Sequence, residues 1–317
     1  MKGKPFGAAM LVCATLIWGA AFVAQNIGMR YMGPFTFNAV RFLIGGIAVL
    51  AFVMFVAPLR GKKRFSGAWR PLDPHSRQLV WGGIACGVIL FITTTLQQVG
   101  ICYTTVGKAG FITALYVLFV PILSLFLGRK VPLFVFLCAA IATAGLYLLC
   151  INEKLTFSKG DIYVFLSAIV TAGHILIIGH FSPRTDGVKL SCAQFFVCGI
   201  LSAVCAFLFE SIDFNSIISG WAPLLYTGAL SCGIAYTFQT VGQREINPVV
   251  ASLIFSFEAV FAALSGWLIL NERLSAKEIS GCILIFIAIV LAQSPRLWTK
   301  LSRKQEKNTS ALFENDS

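Results

Sequence analysis

Apolar residues in this chain stand in long blocks that are separated by short polar stretches. Each block is about 20 residues long, the length that an α-helix needs to cross the hydrocarbon core of a bilayer. Transmembrane β-strands are shorter and alternate apolar with polar positions, a pattern that these blocks lack. The pattern therefore predicts an all-α integral membrane protein. We place ten transmembrane helices at 7–26, 35–57, 78–100, 106–127, 131–151, 160–180, 189–209, 219–240, 249–270 and 277–294.

The two ends of the chain need separate interpretation. Lys2 and Lys4 followed by an apolar run resemble a secretory signal, but the run 7–26 is longer than the apolar core of such a signal. We interpret this run as the first transmembrane helix. The segment 295–317 is polar and charged, and we expect it to form a disordered cytoplasmic tail.

Composition supports a lipid-facing surface. Of the 317 residues, 57% are hydrophobic and 12% are charged, whereas soluble domains carry about 25% charged residues. The net charge of +12 comes from basic residues in connections and tails, and no basic stripe with interleaved aromatics indicates nucleic-acid binding. The ten cysteines lie mostly in apolar runs without a C-x-x-C pair, so we expect neither a metal site nor a cofactor.

The distribution of Lys and Arg predicts the orientation. With the N-terminus in the cytoplasm, 18 basic residues fall in cytoplasmic segments, 6 fall in outside segments, and Arg41 lies inside a span. Cytoplasmic connections of membrane proteins carry an excess of Lys and Arg. We therefore expect a multi-pass protein of a bacterial-type cell membrane with both termini cytoplasmic.

The two halves of the chain resemble each other. A shift of 153 residues places Gly7 on Gly160 and Arg41 on Gln194, and a shift of 142 places Gln97 through Gly100 on Gln239 through Gly242. A shift of 143 places 127–131 on 270–274. Five spans per half is an odd number, so the second half must insert with the opposite orientation. Inverted repeats of this kind are a transporter architecture.

Several blocks resemble the EamA family of the drug/metabolite transporter (DMT) superfamily. They are Trp18-Gly19, Arg41-Phe42, the run from Ser256 to Leu264, and the run from Asn271 to Leu274. The resemblance covers two five-helix repeats at 5–151 and 160–294. It implies a central cavity lined by helices one, three and four of each half, and export of amino acids, related metabolites or drugs.

The chain departs from the family's pattern at three positions. Ala259 stands where the family has Pro after the Glu. Arg129 replaces the Glu that Glu272 supplies in the second half, and Thr171 replaces the aromatic residue that Trp18 supplies in the first.

Glu258 is the most informative polar residue within a span. It lies about nine residues into the ninth predicted helix, roughly 13 Å deep at 1.5 Å per residue. A carboxylate at that depth costs about 2.5–3.5 kcal/mol on insertion scales. The side chain must therefore face a cavity or a partner, or stay protonated. It is a candidate for binding substrate or a coupling proton, and a structural hydrogen bond to a neighbouring helix is the alternative.

Arg41 and His174 are the other ionisable candidates. Arg41 lies about 9 Å into the second helix and is a candidate gate or electrostatic group for an anionic substrate, or a side chain that snorkels to the interface. The second helix is not expected to line the cavity. His174 can exchange protons near neutral pH, although a lone histidine in a bundle can also serve as a hydrogen-bonding strut.

Neutral polar and aromatic residues complete the predicted substrate-binding set. Gln97 and Gln239 correspond under the shift of 142, as do Thr94 and Tyr236. These groups can hydrogen bond to a polar substrate or join helices at about 0.6 kcal/mol each. Trp18 and Tyr116 are candidate cavity walls or packing residues.

The predicted function is a secondary transporter of small polar metabolites, working by alternating access with protons as a candidate coupling ion. A membrane-embedded enzyme is an alternative, but the chain lacks the H-E-x-x-H and G-x-S-x-G motifs. A channel is a second alternative, but channels usually build their pores by oligomer symmetry. The expected partners are a small-molecule substrate and the lipid bilayer, and the sequence determines no oligomeric state.

Overall fold

A computed structural model describes residues 3–56, 74–104, 106–129, 131–150, 158–261, 264 and 275–292. The predicted tail 295–317 and most of the far part of the ninth predicted span lie outside these residues. The described chain is helical and contains no strand. Its α-helices are α1 Gly3–Gly28, α2 Pro34–Ala51, α3 Pro74–Ile101, α4 Val106–Ala114, α5 Tyr116–Phe126, α6 Leu133–Cys150, α7 Lys159–Phe181, α8 Gly187–Phe209, α9 Phe214–Ser219, α10 Trp221–Leu225, α11 Thr237–Gly242, α12 Pro248–Phe255 and α13 Ala276–Ala292.

Six helical segments of the described chain are long and apolar enough to cross a membrane. They are Pro5–Gly28, Pro34–Phe55, Ser76–Ile101, Lys108–Phe126, Lys159–Arg184 and Gly187–Phe209. Two shorter apolar segments, Leu133–Leu148 and Pro248–Phe261, accompany them. Bulky apolar side chains such as Phe126 and Phe207 are exposed, while Gln98 and Gln194 are fully buried. This distribution reverses that of a soluble protein, and the chain is an all-α multi-pass membrane protein.

Five helical segments of the described chain depart from regular α-geometry, and two of them are a π-helix at Phe52–Val56 and a 3₁₀-helix at Ser182–Arg184. Residues Tyr226–Tyr236 form a π-helix between α10 and α11, which we call the π-segment. A turn at Leu115 separates α4 from α5, and a turn at Ser256 ends α12 before helical residues resume at Phe257. At both turns the backbone makes i to i−3 hydrogen bonds, from Leu118 N to Leu115 O and from Ala259 N to Ser256 O.

Polar caps define where several helices begin. The Ser158 hydroxyl accepts from Asp161 N, and the Asp161 carboxylate accepts from Ser158 N, so the two residues form a capping box on α7. Asp186 caps α8 through Val188 N and Lys189 N. The start of α2 is capped from a distance, because Glu210 accepts from Phe35 N, Thr36 N and the Thr36 hydroxyl.

The helices form one bundle in which each half contacts the other. Helix α2 packs along α8, α3 packs along α7 and α8, α1 packs along the π-segment and α11, and α6 packs along α13. Gly7 of α1 lies beside Gly242 of α11, while Gly28 at the other end of α1 lies against Phe37. We call the side where α1 begins the N-terminal face and the other side the opposite face.

Candidate functional site

A cavity of about 60 Å³ lies inside the bundle, between α1, α2, α3, α4, α5, α7, the π-segment, α11 and α12. Both helical breaks border it, because Tyr116 follows the turn at Leu115 and Phe255 precedes the turn at Ser256. Eight of the nine residues that the sequence singles out line this cavity: Trp18, Arg41, Gln97, Tyr116, His174, Tyr236, Gln239 and Glu258.

Thr94, the ninth residue, lies outside the cavity. Its side chain is fully buried, and its hydroxyl donates to Leu90 O over 2.8 Å on its own helix. The Cys198 sulfur of α8 lies 3.8 Å from that hydroxyl, on the side of α3 that packs against α8. The preceding residue, Thr93, lines the cavity instead.

Glu258 brings an acidic group to the cavity wall. It stands in the helical turn just after the break at Ser256 and is half-buried. Its carboxylate makes no hydrogen bond or ion pair with any residue in the described part of the chain. The side chain therefore faces the cavity without a partner among the residues that the structure describes.

Arg41 also lines the cavity, although the second helix was not expected to do so. Its side chain is 3% exposed, so it does not snorkel to the membrane interface. The guanidinium carbon lies 5.3 Å from the centroid of the Phe37 ring and 5.0 Å from that of Phe42. In the part of the chain that the structure describes, the Arg41 Nε atom has no hydrogen-bond partner.

His174 is held by a chain of hydrogen bonds that leads away from the cavity. The His174 Nε2 atom lies 3.1 Å from Gln194 Oε1, and Gln194 Nε2 donates to the Thr240 hydroxyl over 3.5 Å. The Thr240 hydroxyl donates in turn to Tyr236 O over 2.9 Å. With Thr240 as donor to that carbonyl, the amide oxygen of Gln194 accepts from His174, which assigns the ring proton to Nε2.

The two repeat-related amides differ in their partners. Gln97 Nε2 donates to the Thr113 hydroxyl over 3.3 Å, so this amide joins α3 to α4. The Gln239 oxygen is buried and has no hydrogen-bond partner among the described residues. Gln239 is therefore the more available of the two amides for a ligand.

Aromatic rings form one wall of the cavity. Trp18 packs edge-on against Tyr236, with ring centroids 4.9 Å apart, and against Phe255 at 5.5 Å. The Trp18 indole nitrogen and the Tyr116 hydroxyl are both buried, and neither has a hydrogen-bond partner within the described ranges. Aromatic side chains with a polar end bury apolar area and still offer a hydrogen bond to a ligand.

Five further polar residues line the cavity that the sequence did not single out as binding residues. They are Gln25, Thr93, Thr113, Thr171 and Ser231. Each is a small hydroxyl or amide within a span, a residue type that usually joins helices, so composition offers little signal. Four of them share a helix face with Trp18, Gln97, His174 or Tyr236, and Thr113 stands three residues before Tyr116 across the turn at Leu115.

These features define a class of protein: a polytopic helical membrane protein with a polar cavity inside its bundle. The chain matches the model of the EamA-like transporter family over residues 5–151 and 158–293. It belongs to this family.

Several curated relatives match this chain along most of their length, and they are named as transporters. An uncharacterized transporter of Archaeoglobus fulgidus is 32% identical over 287 residues, which cover 89% of this chain and 83% of that protein. The uncharacterized transporter YoaV of Bacillus subtilis is 24% identical, with 89% and 94% covered. The uncharacterized inner membrane transporter YedA of Escherichia coli is 24% identical, with 90% and 89% covered.

A solved crystal structure has the same fold. It superposes with a TM-score of 0.73 at 19% sequence identity and covers 92% of this chain and 97% of that one. At this identity the similarity concerns the fold alone.

Proposed function

We propose that this protein is a secondary transporter that exports small polar metabolites, such as amino acids or related compounds, or drugs, by alternating access. The observation that carries the proposal is the cavity, because several of its polar side chains bury atoms that have no hydrogen-bond partner among the described residues. The transporter names of the relatives support transport over catalysis.

Unpartnered polar atoms in a buried cavity favour a polar ligand. Several lining residues bury a polar atom that has no hydrogen-bond partner in the described part of the chain: Trp18, Gln25, Tyr116, Thr171 and Gln239. A buried polar atom without a hydrogen bond costs about 1–3 kcal/mol. A ligand that bonds to several of these atoms recovers part of that cost, so the cavity suits a small molecule rich in donors and acceptors.

An inverted repeat is part of the proposal, and the helix contacts support it. A Cβ atom on Gly7 would lie 3.0 Å from the Gly242 oxygen, and one on Gly160 would lie 2.6 Å from the Gly100 oxygen. The sequence shifts of 153 and 142 convert the first pair into the second. The pairing of α1 with α11 is thus the counterpart of the pairing of α7 with α3, as an axis in the membrane plane requires.

Alternating access would use this relation between the halves. The cavity receives residues from both halves, including Gln97 from the first and Gln239 from the second. Exchanging the conformations of the two halves would open the cavity first to one face and then to the other. In the proposed orientation, both termini are cytoplasmic, ten helices cross the cell membrane, and the N-terminal face is the cytoplasmic one.

Glu258 is the proposed coupling group. Its carboxylate has no partner among the described residues, so a proton or a cationic group of the substrate can bind it in turn. Competition of this kind would link outward movement of the substrate to inward movement of protons.

The test begins with metabolite profiling of the medium of cells that overproduce the protein, because export predicts one enriched compound class outside. Uptake of that compound into vesicles is then measured across a series of pH values for wild type, Glu258→Gln and Glu245→Gln. Glu245 is exposed and lies outside the cavity, which makes it a matched control. We expect Glu258→Gln to abolish the pH dependence and Glu245→Gln to preserve it. Unchanged transport and pH dependence in Glu258→Gln would exclude proton coupling at this residue, and a medium without an enriched compound would exclude export.

A further inference from the structure

Arg41 is a buried cation whose charge the described part of the protein does not neutralise. The side chain is 3% exposed, and no acidic residue among those described lies within ion-pair distance of its guanidinium. Charged side chains inside a membrane protein are usually paired with each other or with backbone carbonyls. Arg41 instead lines the cavity, and its Nε atom has no hydrogen-bond partner among the described residues.

Glu210, which follows the end of α8 and contacts the start of α2, already has hydrogen-bond partners there. Glu210 accepts from Phe35 N and Thr36 N over 2.8 Å each and from the Thr36 hydroxyl over 2.6 Å. Its role is to cap α2, and it does not pair with Arg41. A structural ion pair therefore does not account for the arginine.

Two aromatic rings hold the guanidinium in place. Phe37 and Phe42 are both fully buried, and their rings lie 5.3 and 5.0 Å from the guanidinium carbon. Cation–π contacts attract the charge and leave the N–H groups at the edge of the guanidinium free. The arginine is thus positioned by side chains that do not use its donors.

The positive charge of Arg41 has no counterpart at the repeat-related position in the second half of the chain. The shift of 153 pairs Arg41 with Gln194, a neutral side chain that is fully buried and bonded to His174 and Thr240. Arg41 follows the start of α2 by two turns and therefore lies toward the opposite face, like Gln25 near the end of α1. Glu258 is the acidic residue among the described lining residues.

We propose that Arg41 binds a carboxylate of the transported molecule and so restricts transport to substrates that carry this group. This inference rests on the proposed transport function. A guanidinium presents parallel N–H donors that match the two oxygens of a carboxylate. A single negative charge balances Arg41, whereas a phosphate would bring up to two charges into a cavity that already holds Glu258. The carboxylate therefore lies toward the opposite face, and the rest of the molecule extends toward Glu258 and the aromatic wall.

The experiment compares wild type with Arg41→Gln, Arg41→Lys and Arg30→Gln. Arg30 is exposed, stands outside the cavity and lies near the same face, so its substitution removes one nearby charge without changing the site. Compounds that each variant enriches in the medium are identified, and counterflow in proteoliposomes is measured with the main compound and with its carboxamide analogue. Thermal unfolding of each purified variant monitors folding.

We expect every compound enriched by wild type to carry a carboxylate. The carboxamide should exchange at least about tenfold less well, because a charge-assisted bidentate pair is lost. Arg41→Gln should lose the same factor for the carboxylate and little for the amide, Arg41→Lys should fall between them, and Arg30→Gln should match wild type. Equal exchange of acid and amide by wild type, or full carboxylate transport by a folded Arg41→Gln, would overturn the inference and leave the transport function standing. Absence of any enriched compound would overturn both.

Discussion

Gly160 provides a quantitative test of how the two halves pack. A Cβ atom at this position would lie 2.6 Å from the Gly100 oxygen, 2.8 Å from the Tyr103 carbonyl carbon and 2.9 Å from the Thr104 nitrogen. All three atoms belong to the backbone of α3 or the residues that follow it, so no side-chain rotation can relieve the overlap. Carbon–oxygen contacts between packed helices are about 3.3 Å or longer, and Gly160→Ala must therefore separate α7 from α3 by about 0.7 Å.

The cost of that separation can be worked from the contacts across the interface. Overpacking by one methyl group costs about 1–3 kcal/mol. The Ser167 hydroxyl donates to Thr93 O over 2.9 Å across the same interface, and weakening this bond adds up to about 1 kcal/mol. We therefore expect Gly160→Ala to lower the free energy of unfolding by about 2–4 kcal/mol.

The measurement is reversible denaturation of the purified protein in mixed micelles. Gly173→Ala is the matched control, because Gly173 lies on the same helix and has no atom within 4 Å of an added Cβ. A helix propensity gain of up to about 1 kcal/mol is expected there. If Gly160→Ala proves as stable as Gly173→Ala, the close packing of α3 on α7 described above is incorrect.

Two further predictions concern helix ends. Glu210→Ala should lower the free energy of unfolding by about 2–4 kcal/mol, because two backbone N–H groups of α2 and the Thr36 hydroxyl lose a charged acceptor. Glu210→Gln should cost less. Equal thermal unfolding midpoints for wild type and Glu210→Ala would contradict this role. Gly128→Ala should lower the free energy of unfolding by about 1 kcal/mol, since Gly128 has φ 71° and ends α5 with bonds from Gly128 N to Leu125 O and from Arg129 N to Ser124 O. Denaturation of Gly128→Ala and Gly128→Asn measures this loss, and Asn should be tolerated better than Ala. No loss of stability in either variant would refute the prediction.

Block length and polarity were sufficient to predict the six helical segments of the described chain that are long and apolar enough to cross a membrane. The predicted first span 7–26 corresponds to Gly3–Gly28, and the predicted seventh span 189–209 to Gly187–Phe209. Differences of a few residues arise because a helix continues past the apolar stretch until a cap or a turn ends it. Asp186, which caps α8, lies outside the apolar block for this reason.

Helix breaks and the π-segment could not be predicted from the same pattern. The turns at Leu115 and Ser256 and the π-helix Tyr226–Tyr236 change backbone hydrogen-bond partners without changing hydropathy. The consequence is visible at Thr94 and Tyr236. Hydrogen bonds from i to i+5 rotate the residues after a π-segment relative to an α-helix. Tyr236, at the end of the π-segment, lines the cavity, whereas its sequence counterpart Thr94 on the regular helix α3 does not.

The position of Arg41 illustrates a different limit of sequence. Its depth in α2 allowed either a cavity-facing or an interface-facing side chain. Phe37 and Phe42 contact the guanidinium from the same helix α2, but the burial of Arg41 depends on helix α8 and the π-segment, which pack against α2. Hydrophobic pattern determines which segments enter the membrane, but tertiary packing determines which side chains face the cavity.

Access to the cavity from each face of the membrane tests the central claim most directly. Ser231 lines the cavity from the π-segment and is 3% exposed, so a cysteine there reports on the site itself. Ser231→Cys in sealed vesicles would be treated with a membrane-impermeant maleimide from one face or the other, with wild type in parallel to account for the native cysteines. We predict labelling above that background from both faces and slower labelling when the exported compound is present. Labelling from neither face, or from one face regardless of the compound, would contradict alternating access.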